Sequence, residues 1–290
     1  MTPRVSVLMA VYNAEKYLGE AIESILNQSF SDFEFIIIDD CSTDGTADIL
    51  RSYPDPRIRL FKNDKNLGVT RSLNKGLDVA RGEYIARMDG DDVSLPERLE
   101  KQVAYMDEHP EIAASGTWAR DIDAEGREFD TRRLPFGDRM KYEFWRPSPI
   151  VHPAAIIRAS HLGKIRYDAG LTHAQDYDLW LRLKADHELG NLPEYLLLYR
   201  VHPDSVTSRK RQNQIDETHN IVSRRLGLRI SYAAFQHLIG LVPDLNPISR
   251  ILARWRLARA IHIPYRHYLS EDLAYGRNWL RSRLVRSVSD

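Results

Sequence analysis

Residues 82–92 read Gly82-Glu83-Tyr84-Ile85-Ala86-Arg87-Met88-Asp89-Gly90-Asp91-Asp92. The run 84–88 is short and mostly apolar, as a buried strand is, and it stops in three carboxylates around a glycine. Carboxylates at that density repel one another. A hard divalent cation bridging to phosphate oxygens is the usual relief, which points to phosphate-and-metal chemistry at this strand end.

Outward from this stretch, strand and helix alternate. Residues 5–11 form a buried-strand run, and Tyr17, Leu18, Ala21, Ile22, Ile25 and Leu26 keep one face of the next segment apolar at helical spacing. Residues 33–38 read as a second strand ending in Asp39-Asp40, with Ser42, Thr43 and Asp44 as N-caps for a short helix through Leu50. Residues 58–61 read as a third strand, and Val69, Leu73, Leu77 and Ala80 mark another long helix. Ser94-Leu95-Pro96-Glu97 fits a capping box with proline in the first turn, which predicts a helix through Asp107. Strict alternation implies an α/β fold, a mostly parallel sheet with helices on both faces. Ligands of such sheets bind in the crevice beyond the carboxyl ends of the strands. Tyr12-Asn13, Asp39-Asp40 and 89–92 all fall at that edge.

Past Trp118 the alternation weakens. Asp123-Ala124-Glu125-Gly126 reads as a hairpin turn, and residues 130–150, rich in Arg and Pro, as a loop over the site. Residues 154–158 and 195–201 read as strands, the second ending in His202; residues 176–185 read as a helix. The remainder, 208–286, reads as helical and Arg-rich.

The formal net charge is zero but unevenly spread. Residues 203–290 hold 15 Lys/Arg against 7 Asp/Glu, about +8, so 1–202 carry the opposite excess. The acidic front half argues against a nucleic-acid groove. Cys41 is the single cysteine, which excludes an internal disulfide and a cysteine-based zinc site. No signal-like leader precedes the first strand, and no run approaches the ~18 apolar residues of a membrane span. The expectation is a cytoplasmic protein, soluble or peripheral at the inner face of a membrane.

Taken together, the blocks 7–13, 37–46, Asn66-Leu67-Gly68, 82–92 and Gln175-Asp176-Tyr177-Asp178-Leu179-Trp180 resemble the family 2 glycosyltransferases over about residues 4–207. Each block alone is weak; five in order are specific. The resemblance implies a GT-A-type, Rossmann-like catalytic domain over 1–207. Its nucleotide-binding half would be 1–118 and its acceptor-side half 119–207, followed by a basic helical region, 208–290. It also implies an inverting transfer of a sugar from a nucleotide diphosphate sugar, UDP-linked by default, to a glycan or lipid-linked acceptor in cell-surface polysaccharide assembly.

The resemblance assigns roles to residues. Asp39 or Asp40, with Asp40 favoured, would accept from the base; Ala10, Val11, Tyr12 and Asn13 would wall its pocket, and Arg71 would reach the nucleotide. Asp89 and Asp91 match an Asp-x-Asp motif, with side chains ~6–7 Å apart on one side of an extended chain. Asp89 would serve the ribose or a metal-bound water and Asp91 the metal, Mn2+ or Mg2+, with His202 completing the shell. Gly90 would let a diphosphate approach the backbone. Asp176 would be the catalytic base, and Gln175, where Glu is common in the family, and Trp180 would face the acceptor or donor sugar. Plainer readings stand beside these. Asn13 and Asp176 also fit N-caps, Asp39-Asp40 a turn, Arg71 a solvated helix residue, Trp180 a core residue, and Asp178 an exposed helix turn. His152 reads as a packing or hydrogen-bonding residue.

Two other functions compete. A sugar-phosphate nucleotidyltransferase would need a glycine-rich loop after the first strand, where this chain has Tyr12-Asn13-Ala14-Glu15-Lys16. A non-catalytic glycan-binding relative would be supported by Gln175 alone. In the tail, Ile251, Leu252, Trp255 and Ala258 alternate with arginines, as do Leu273, Trp279, Leu280 and Leu284. Such helices suit an anionic membrane, a second subunit or the catalytic domain itself.

Overall fold

A computed structural model describes residues 2–143, 149–203, 205 and 211–225. The chain divides into two units. One comprises Met1–Phe144 with Ser148–Arg211, and the other takes in Gln212 onward together with Trp145–Pro147.

The first unit is built on one nine-stranded sheet. Its strands are β1 (Val5–Val11), β2 (Phe33–Asp39), β3 (Ile58–Lys62), β4 (Tyr84–Met88), β5 (Val93–Ser94), β6 (Ile112–Ile122), β7 (Glu128–Arg132), β8 (Ile156–Arg158) and β9 (Glu188–Arg200). The helices are α1 (Leu18–Leu26), α2 (Thr46–Arg51), α3 (Val69–Val79), α4 (Arg98–Glu108), α5 (Asp138–Glu143), α6 (Ala159–Leu162) and α7 (Gln175–Lys184). In the second unit the described part of the chain is helical, α8 (Arg211–Arg225). The amphipathic positions named in the tail lie outside the described residues.

The sheet order is β3-β2-β1-β4-β8-β6-β9-β5, with β7 beside β6. The strands from β3 to β4 are parallel, and β6 and β9 are parallel to each other. Strands β8, β7 and β5 run antiparallel to their neighbours. Odd positions of β1 (Val5, Val7, Met9, Val11) pack with α1 and α4; Leu8 packs on the other face with α3 and α7. Burial on both faces is why these strands read as unbroken apolar runs. The reversal of strand order at β1/β4 opens a crevice at their carboxyl ends.

Only residues 89–92 separate β4, central in the sheet, from β5 at its far edge. Five peptide steps reach at most ~18 Å, so the sheet curls until its edge strand comes back over the end of β4.

Two expectations change. Ser94 does not cap a helix; it lies in β5, and its hydroxyl accepts from Gln28 Nε2 at 3.1 Å. The start of α4 is satisfied from a distance instead, Leu99 N–H donating to Gln28 Oε1 at 3.0 Å. Residues 130–150 are not simply a loop, since they include the end of β7 and the helix α5. Gly90 is also required by the protein's own packing, since a Cβ there would lie 2.8 Å from Val11 Cγ1.

Candidate active site

Loops following β1, β2 and β3 are tied into one wall. Asn13, held at φ 50°, donates its N–H to Ser42 Oγ (3.0 Å), and its Oδ1 accepts from Thr43 N (2.9 Å). Ala14 N donates to Thr46 Oγ1 (2.8 Å). Asp39 and Asp40 are both buried. Asp39 Oδ1 accepts from Ser42 N at 2.9 Å. Asp40 is committed more heavily: Asn63 Nδ2 (2.7 Å), Leu67 N (2.8 Å) and Gly68 N (2.8 Å) all donate to it. Three of roughly four lone-pair positions are therefore used, and Asp40 has room for one further donor. Tyr12 is 49% exposed beside this wall, and Arg71 is exposed on the first turn of α3. Val11 is buried, and Ala10 is half-buried.

The acidic loop lies next to this wall. Asp89, Asp91 and Asp92 each place a carboxylate oxygen within 4.8 Å of the others. Asp89 forms an ion pair with Arg87. Burial pushes its carboxyl up, Arg87 pulls it back, and Asp91 adds to the rise. Asp92 is pushed well up, first by burial and then by Asp91 and Asp89. Its Oδ1 accepts from Arg200 N at 2.8 Å, while its buried Oδ2 has no hydrogen-bond partner. His202 Nε2 lies 3.1 Å from Asp91 Oδ2. Crowded carboxylates, an orphaned buried carboxylate oxygen and an imidazole nitrogen form a hard oxygen-and-nitrogen donor set of the kind Mn2+ or Mg2+ takes.

Asp176 sits in the first turn of α7 and is buried, as is Gln175. Burial pushes the Asp176 carboxyl up to about 6. Backbone N–H groups at the helix start and the charge of Arg87 pull it down, and Asp89 adds to the rise. The base candidate and the acidic loop therefore share one electrostatic neighbourhood, with Arg87 between their fields. Gln175 Oε1 is buried without a hydrogen-bond partner.

Two assignments on this helix are corrected. Trp180 is 1% exposed in the apolar cluster with Tyr167, Leu179 and Leu183, so its ring is unavailable to a sugar. Asp178 is fully buried rather than on an exposed turn, paired with Arg182 at 2.8 Å. His152 fills its expected packing role, with Nε2 2.9 Å from the Tyr167 hydroxyl and its ring against Trp180. Burial, together with Arg87, holds this imidazole well below its usual range.

Sequence reasoning missed three buried arginines. Arg87 pairs with Asp89; Arg98 donates to the carbonyls of Arg87 (3.1 Å) and Pro153 (2.6 Å); Arg200 donates to the Asp91 carbonyl (2.8 Å). A signal was present for two of them. Arg87 and Arg200 each interrupt or close an apolar strand run, where a charge persists only with a partner.

A curled, helix-flanked sheet with an acidic cluster at its carboxyl edge is the architecture of GT-A sugar-transfer enzymes, and comparison with known proteins agrees. Residues 6–166 match the family described as Glycosyl transferase family 2. An uncharacterized glycosyltransferase of Methanocaldococcus jannaschii is 41% identical over 222 residues, 73% of this chain and 76% of that one. The amylovoran biosynthesis glycosyltransferase AmsE of Erwinia amylovora is 32% identical over 77% of this chain and 86% of its own. The mannosyltransferase PcManGT of Pyrobaculum calidifontis, solved with GDP-Man and Mn2+, superposes with a TM-score of 0.63. That superposition covers 99% of this chain and 88% of the other at 17% identity, a likeness of fold. The chain belongs to glycosyl transferase family 2 and is a glycosyltransferase. No helix among the described residues is long and apolar enough to cross a membrane.

Proposed function

We propose that the protein is a divalent-cation-dependent, inverting glycosyltransferase. It takes a sugar from a nucleoside diphosphate sugar and transfers it to a hydroxyl of a glycan or lipid-linked acceptor during cell-surface polysaccharide assembly. The observation that carries the reading is the clustering of Asp89, Asp91 and Asp92, with His202 3.1 Å from Asp91 and Asp176 within reach of the charge of Asp89.

The wall at Tyr12, Asn13, Asp39 and Asp40 receives the base, Arg71 reaches the nucleotide, and Asp89 serves the ribose. Asp91 and His202 hold the cation, whose contribution when bound is to neutralise the leaving diphosphate. Asp176 accepts the proton of the acceptor hydroxyl as that oxygen bonds to the anomeric carbon. The bond from that carbon to the diphosphate oxygen breaks on the opposite face. One displacement turns an α-linked donor into a β-linked product. Gln175 Oε1, buried and unpartnered, supports a role as hydrogen-bond acceptor for a sugar hydroxyl.

Thermal shift with UDP, GDP and dTDP, each with and without Mn2+, tests this reading. One nucleotide should stabilise the protein only with the ion, and Asp91→Ala should abolish the shift. Stabilisation by none of them, or an equal shift in EDTA, would count against it. Proton NMR of the product would show a β-anomeric signal if the transfer inverts.

A further inference from the structure

We propose that Arg200 is a positioning residue that fixes the main chain at Asp91, so that the Asp91 carboxylate and the His202 imidazole face a divalent cation together. The inference rests on the reading of those two side chains as cation ligands. Arg200 closes β9, and its side chain is 2% exposed. Each of its three nitrogens is engaged. Nε donates to the Asp91 carbonyl (2.8 Å), Nη1 to the Asp123 carbonyl (3.2 Å), and Nη2 is ion-paired with Glu20. Its main-chain N–H donates to Asp92 Oδ1 at 2.8 Å. At 2% exposure, with each nitrogen turned onto the protein, this guanidinium is withdrawn from substrate, which separates positioning from catalysis.

Geometry explains why an arginine stands here. The acidic loop links β4, central in the sheet order, to β5 at its far edge. Arg200 prolongs the β5–β9 pairing, which ends at Val93 and Leu198, by two more hydrogen bonds onto Asp91 and Asp92. Two residues further on, His202 meets the Asp91 carboxylate from the same strand end. The Tyr17 ring lies 4.5 Å from the Arg200 guanidinium and 5.2 Å from the His202 ring, so one aromatic side chain spaces both. Pairing with Glu20 offsets a positive charge that would otherwise repel a cation held nearby.

The test titrates Mn2+ into the full-length chain, with and without UDP, and reads the free ion by electron paramagnetic resonance; thermal unfolding in EDTA runs beside it. Arg200→Met should weaken Mn2+ binding at least tenfold. Arg200→Lys, which keeps the charge but reaches fewer acceptors, should fall between. Glu20→Gln, on a half-exposed side chain, should weaken binding severalfold with little change in melting temperature. A lower melting temperature with wild-type Mn2+ affinity in the Arg200 variants would overturn the proposal. If Arg200→Met does not fold, wild-type affinity in both Arg200→Lys and Glu20→Gln would overturn it equally. Failure of the wild-type chain to bind Mn2+ would instead remove the cation reading itself, and this inference with it.

Discussion

Asp91 and His202, 111 residues apart, meet at 3.1 Å where the acidic loop crosses the end of β9. Asp91 belongs to the link leaving the parallel half of the sheet, and His202 to the exit of β9, the neighbour of the edge strand β5. Neither is placed by its own neighbours in sequence. If both ligate, His202→Ala should weaken Mn2+ affinity on the order of 10- to 100-fold, a loss at least equal to that of an outer-shell partner. Calorimetric titration of Mn2+ in the presence of nucleotide measures it. An unchanged dissociation constant would leave His202 a neighbour of the site only.

Asp176 supplies a pH dependence with a defined sign. Its folded carboxyl titrates near 6, above the ordinary range, because burial disfavours the charge. As a general base it is active when ionised, so kcat should rise through about pH 6 and level above it. Stability runs the other way. This group favours the fold most below the unfolded pKa, and the advantage is lost as pH rises through 6. Asp176→Asn should therefore lower kcat by about 10²- to 10⁴-fold. The same change should stabilise the protein at pH 7 by on the order of 1–3 kcal/mol. Urea unfolding and initial-rate assays decide it; a destabilised variant would show that the ionised carboxylate is held by more than the helix start.

Asp40 and Asp39 should separate when each is replaced by Asn. Asp40 receives two main-chain N–H groups and Asn63, so an amide there turns an N–H toward another N–H. About 2–3 kcal/mol should be lost on unfolding, the scale of a buried hydrogen bond to a charged group. Asp39→Asn removes the charge from a carboxylate that receives the Ser42 N–H and should affect nucleotide affinity more than stability. Equal stability loss in both would show that Asp39 anchors its loop as firmly.

Arg87 balances the acidic loop from beneath. Arg87→Met leaves the half-buried Asp89 beside Asp91 without its cation, and should destabilise the protein in EDTA by about 1–3 kcal/mol. Part of that loss should return with saturating Mn2+. Because Arg87 also pulls the Asp176 carboxyl down, the acid limb of the kcat profile should move above pH 6 in this variant. A limb that stays in place would show that Arg87 does not reach the base.

The first half of the fold was legible because its strands are buried on both faces and its helices keep one apolar stripe. Asp39-Asp40, the acidic loop and Asp176 stood out because each falls at a strand or helix end. The chain beyond Trp118, and the strand leading into it, was harder to read for physical reasons. Strand β6 carries Ala113-Ala114-Ser115-Gly116, small residues without period-2 contrast, and β7 is Glu128-Phe129-Asp130-Thr131-Arg132, almost wholly polar. Ser94 looked like a cap because Ser-x-x-Glu is a local pattern, whereas the true partner of the helix start, Gln28, comes from beyond α1. Trp180 and Asp178 share a helix whose described residues are buried nearly all round, so position on the helix gave no clue to exposure.

The four-residue passage from β4 to β5 is at once the proposed cation loop and the seam that closes the sheet. An insertion of one residue there would slip Val93 and Ser94 against Leu198 and Leu197, turn their side chains to the wrong faces, and pull Asp92 off its anchor. Chain length at this point is therefore constrained twice over, by chemistry and by architecture. Any diversification or grafting that this scaffold tolerates has to enter elsewhere; the Asp123–Gly126 turn, exposed at its tip and outside the acidic cluster, is the natural place to lengthen it.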